Sequence, residues 1–103
     1  MQALLNLFAQ LIKKPYLFVG EHPFYTELVS FLNGYFVRIK EEDNEAGIFI
    51  DEFIQFICDY YGIKNVKRNG LTVINLFTDN EEQAFYKFLE LLNEFLLIKK
   101  INL

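Results

Sequence analysis

The sequence predicts a mainly α-helical fold, a compact bundle of about four helices, with a short strand or hairpin left open over residues 63–77. Three observations point to it. Apolar residues recur at helical spacing along most of the chain. The composition is 52% hydrophobic and 17% aromatic, with twelve Phe and no Trp, far too apolar for a disordered chain. Two Pro and five Gly are too few for a loop-rich sandwich. A length of 103 residues suits a single globular domain, 1–103, with one modest core.

The strongest amphipathic pattern lies in residues 79–98. Ala84, Phe85, Phe88, Leu91, Leu92, Phe95 and Leu96 make one apolar stripe, and Glu81, Glu82, Gln83, Lys87, Glu90, Asn93 and Glu94 fall opposite. Asp79 or Asn80 can cap its start. Glu81 and Glu82 suit the positive end of the helix dipole, and Lys99 and Lys100 its negative end. The first helix is read over residues 2–14, with Leu4, Leu5, Phe8, Leu11 and Ile12 on one face and Pro15 ending it. Residues 15–20 follow as a short extended connection.

The second helix is read over residues 22–40, burying Phe24, Tyr25, Leu28, Phe31, Leu32, Tyr35, Phe36 and Ile39. Its apolar phase runs through Asn33-Gly34, so close approach of another backbone is expected at Gly34. Residues 41–47 are polar and acidic and read as a loop. The third helix is read over residues 48–61, with Phe49, Phe53, Phe56, Ile57 and Tyr60 inward, Cys58 at the edge and Gly62 as the stop. Residues 71–77 are ambiguous: their β-branched content suggests a strand, while Leu71, Ile74 and Phe77 fit one face of a short helix.

Charge and cysteine content narrow the function classes. The net charge is −4, whereas a general nucleic-acid binder is more often basic, so no direct nucleic-acid contact is expected. Lys64, Lys67 and Arg68 beside Tyr60 and Tyr61 are a small basic-aromatic cluster, too weak to change that. One cysteine excludes an internal disulfide and fits a cytoplasmic location. The apolar N-terminus lacks the basic region and cleavage site of a signal peptide and reads as a helix. No apolar run approaches the roughly 18 residues of a membrane span.

No catalytic constellation stands out. His22 is the only histidine, and nothing in the sequence brings it to Cys58 as a nucleophile pair. Enzymatic activity, a metal site and a cofactor are therefore not expected. Six of the fourteen acidic residues, Glu41, Glu42, Asp43, Glu45, Asp51 and Glu52, fall within twelve positions with no basic residue among them. They lack the glycine and the alternating ligand spacing of a calcium loop. Two readings stand: a solvated loop and helix start, or a patch that meets a basic partner surface.

Four segments carry a family likeness. They are Lys14-Pro15-Tyr16-Leu17-Phe18-Val19-Gly20-Glu21; Leu28-Val29-Ser30-Phe31-Leu32-Asn33-Gly34-Tyr35; Phe53-Ile54-Gln55-Phe56-Ile57 with the Tyr60-Tyr61 pair; and Glu82-Gln83-Ala84-Phe85-Tyr86-Lys87-Phe88-Leu89-Glu90-Leu91-Leu92. Their order and spacing resemble those of small bacterial immunity proteins, the antidotes of polymorphic toxins, including those of contact-dependent growth inhibition. The resemblance implies an antitoxin that binds a cognate toxin domain, a nuclease being the expected kind, by steric and electrostatic blockade. Nuclease clefts are basic, so Glu41, Glu42, Asp43, Glu45, Asp51 and Glu52 become the expected toxin-binding residues. The alternative is a non-enzymatic adaptor that self-associates into a homo-oligomer through an aromatic face, since six tyrosines supply amphipathic contact surface.

Overall fold

Four long helices carry the chain in the computed structural model, which describes residues 1–15, 24–64 and 70–103. We number them α1 (Gln2–Lys13), α2 (Tyr25–Glu42), α3 (Asn44–Tyr60) and α5 (Glu81–Ile98), with the one-turn α4 (Gly70–Val73) between α3 and α5. A 3-10 turn, Ile74–Phe77, continues α4 without a break. No strand is present among the described residues: of the span left open at 63–77, residues 71–77 take the helical alternative, and residues 65–69 lie outside the described residues. The apolar triplet Leu71, Ile74 and Phe77 sets that outcome in part: Leu71 and Ile74 are buried, which a helical period allows and strict alternation does not. The expected connection at residues 16–20 lies outside the described residues.

The mainly α bundle closes around aromatic rings. Phe53 of α3 meets Phe8 of α1 at 6.0 Å and Phe88 and Phe95 of α5 at 5.9 and 5.3 Å, ring centroid to centroid. Phe8 also stands edge-on to Phe36 of α2 at 6.4 Å. All four long helices therefore reach one ring cluster, in the offset and edge-to-face arrangements that aromatic quadrupoles favour. The entire predicted stripe of α5 is buried. The buried faces of α1 and α2 differ from expectation: Leu7 is buried ahead of Leu5 and Ile12, and Val29 is buried while Phe24 and Phe31 are exposed.

Helix ends explain the boundaries. Asn80 caps α5, its Oδ1 accepting from the Gln83 amide at 2.9 Å, and the Gln83 side chain accepts from the Asp79 amide in return. No side chain of the α2 entry caps it; instead Glu81, in the first turn of α5, accepts from the Thr26 amide at 2.9 Å and from the Thr26 hydroxyl. Gly62 ends α3 at φ +71°, with the Ile63 amide bonded back to the Cys58 carbonyl.

The close approach expected at one glycine is found at another. A Cβ at Gly34 would meet nothing within 4 Å, so the expected close approach is absent there. At Gly70 a Cβ would lie 2.2 Å from Ile54 Cγ2, so the missing side chain is what lets α4 sit this close to α3.

The fully buried Tyr25 ties α2 to α4, donating from its hydroxyl to the Leu71 carbonyl at 2.5 Å. Burial pushes this phenol above its ordinary value of 10.0, with smaller contributions from Tyr61 and Glu81. The unfolded chain therefore ionises first as pH rises, so this phenol's stabilisation is full below pH 10.0 and is lost above it. Tyr25→Phe removes this buried hydrogen bond, and we predict a loss of about 1 kcal/mol in urea unfolding at neutral pH. The alkaline fall in stability should also become shallower than in the native chain; identical slopes would show that Tyr25 does not contribute to it.

Candidate functional site

The acidic stretch folds as a helix junction. Residues 41–47 are not the expected loop: α2 runs on to Glu42, Asp43 alone connects, and α3 begins at Asn44. Asp43 is extended, at φ −142° and ψ 101°, and serves as the last cap of α2 and the first of α3. Its Oδ1 accepts from the Ala46 amide at 3.1 Å. Ala46 and Gly47 are buried, so the residues read as loop tip are packed. A carboxylate at the cap and Glu45 in the first turn both suit the positive end of the α3 dipole.

The six carboxylates fall into two groups. Asp43 forms an ion pair with the Met1 ammonium, Asp51 with Lys40 at 2.5 Å, and Glu52 with Lys99. The fold thus brings three cations to a run that contains none in sequence. The Met1–Asp43 pair is half-buried, whereas the exposed pairs of Asp51 and Glu52 contribute little to stability and leave much of their carboxylate surface accessible; the Asp51 side chain is 69% exposed. Glu41, Glu42 and Glu45 are exposed and make no ion pair among the described residues. The structure therefore brings Glu41, Glu42, Asp43 and Glu45 together at the junction and places Asp51 and Glu52 farther along the outer face of α3. Glu42 also raises the nearby Tyr35 phenol, although desolvation is the larger cause.

The thiol and histidine pairing is not assembled. Cys58 is 1% exposed and its thiol is pushed up, first by burial and then by Asp59, which disfavours the reactive thiolate. His22 lies outside the described residues, as do Lys67 and Arg68 of the basic cluster; Lys64 is exposed. Among the described residues no three His, Cys, Asp or Glu side chains are grouped to hold a metal ion. Nor is any helix among them long and apolar enough to cross a membrane.

A second surface was not anticipated. A groove of about 740 Å³ runs between the end of α3, the 3-10 turn and the first half of α5, with Tyr60, Tyr61, Phe77, Tyr86, Glu82 and Glu90 on its walls. Tyr61 stacks on Phe77 at 4.3 Å with the rings 8° from parallel. Lys87 donates to the Tyr60 hydroxyl at 2.7 Å and sits 4.6 Å above that ring. The hydrogen bond to Tyr60 raises the Lys87 pKa above its ordinary value, and Glu90 adds to the rise. The Tyr60-Tyr61 pair was visible in sequence, but Phe77 lay in the seven residues whose period could not be assigned.

The two groups of carboxylates respond differently to substitution. Asp43→Ala removes the α3 cap and should lower unfolding free energy by about 1 kcal/mol. Glu42→Gln removes only surface charge and should stay within about 0.5 kcal/mol of the native chain. Chemical denaturation of the two variants side by side checks this; equal losses would mean that Asp43 has no capping role.

Comparison with protein-family models, with curated proteins and with solved structures finds no match to this chain.

Proposed function

We propose that the protein is a toxin-neutralising immunity protein that acts by binding, with the α2–α3 junction as its contact surface. The observation that carries this reading is the set Glu41, Glu42 and Glu45: three exposed carboxylates on the two helix ends of a packed junction, with no ion pair among the described residues. Exposed negative charge on a packed support is suited to steer and orient a basic partner. The family resemblance names the partner as a cognate toxin domain, a nuclease whose phosphate-binding cleft is basic. Blockade would be steric and electrostatic, in the cytoplasm, and without a cofactor. Asp51 and Glu52 extend the surface along α3, while Asp43 contributes by holding the junction in shape.

Self-association through an aromatic face is the second reading. It is favoured by the exposed Phe31, which stacks on Tyr35 at 6.2 Å along the outside of α2.

Co-expression with the product of the neighbouring upstream reading frame separates the two. The immunity reading predicts a stable one-to-one complex with a toxin-like domain and a monomer when that domain is absent. A homo-oligomer that ignores the neighbouring product would overturn it in favour of self-association.

A further inference from the structure

We propose that the groove at the C-terminal end of α3 is a receptor for one cationic side chain, an arginine presented by a protein partner. This goes beyond the immunity reading and does not depend on it. Glu45 and Tyr60 are separated by about 22 Å of helix, so the groove is distinct from the acidic junction.

The walls have the composition that a guanidinium recognises. Tyr61 covers one face of Phe77, yet Phe77 remains 53% exposed. Tyr60 and Tyr86 are exposed beside it, and the Tyr60 and Tyr61 rings meet edge-on at 4.8 Å. Aromatic faces carry negative potential and attract cations, and arginine stacks on them as well. The groove already holds one cation, the chain's own Lys87, bound by the Tyr60 ring, the Tyr60 hydroxyl and Glu90 at 3.3 Å. Glu82, on the same groove and exposed, has no ion pair among the described residues. Among the described residues of the lining, two carboxylates stand against one ammonium, and that charge and the exposed Phe77 ring together suit a second cation. A guanidinium fits better than an ammonium because its plane stacks on the ring while its N–H groups reach Glu82.

An NMR titration that follows backbone amides tests this with N-acetyl-arginine amide and its uncharged counterpart N-acetyl-citrulline amide. We expect saturable shifts at Tyr60, Glu82 and Tyr86 with the arginine compound and binding weaker by about tenfold with the citrulline compound. Phe77→Ala and Glu82→Gln should each weaken arginine binding by about threefold or more. Lys87→Met, which removes the resident cation, should strengthen it. Should Phe77→Ala fail to fold, Glu82→Gln and Lys87→Met decide the matter alone. Equal binding of the two compounds would replace the cation receptor with a plain apolar groove. Absence of shifts at these amides, or shifts unaltered by all variants, would overturn the proposal outright. The titration contains no toxin, so its failure would leave the immunity reading standing.

Discussion

Phe53 stands where α1, α3 and α5 meet, and its ring is in contact range of Phe8, Phe88 and Phe95. Phe8 hands the cluster on to Phe36 of α2, so the four long helices share one set of interlocked rings. Each ring removes a large apolar area from water, and their edge-to-face contacts fix how the helices lie. The other devices of the fold serve this cluster. Asn80 starts α5, Gly62 stops α3, and Glu81 satisfies the entry of α2 from a neighbouring helix. The Tyr25 hydrogen bond and the bare Cα of Gly70 bring α4 close enough to close the remaining side.

Because the core is built from apolar rings, with no buried charged side chain among the described residues, the charges are left to the surface. There they divide by duty. Asp43, Asp51 and Glu52 are engaged with cations of the same chain, and Asp43 also caps α3. Glu41, Glu42 and Glu45 make no ion pair among the described residues, and they sit on a junction whose backbone is held by the buried Ala46 and Gly47. A binding surface gains from that arrangement, since charges carried on a folded helix junction meet a partner without the backbone first being ordered.

The existence of the long helices and the whole α5 stripe were legible in the sequence, the exact inward faces of α1 and α2 less so, and short or charged segments were not. Every residue of the α5 stripe is buried as its spacing indicates, because eighteen residues give several turns over which the period accumulates. The stop at Gly62 was equally plain, since glycine readily takes the positive φ that ends a helix. The junction was misread because an acidic run looks like a solvated loop. Its helical state depends on Ala46 and Gly47 packing, which is a tertiary fact. Residues 71–77 were too few to show a period, and that concealed Phe77 and the groove it lines. The pairs Lys40–Asp51 and Lys99–Glu52 join residues 11 and 47 positions apart, and no local pattern announces them.

Under the proposed immunity function the α2–α3 junction steers association by charge, and the test is the rate at which the chain associates with the product of the neighbouring upstream reading frame as ionic strength rises. The native chain should associate fast at low salt and slow steeply as salt is added, because exposed charges are screened beyond about 10 Å at 0.1 M. The variant carrying Glu41→Gln, Glu42→Gln and Glu45→Gln together should associate slowly throughout, with a much flatter dependence, while keeping native stability. Equal salt dependence in the native chain and the variant would contradict the claim and return these carboxylates to the role of solvated surface.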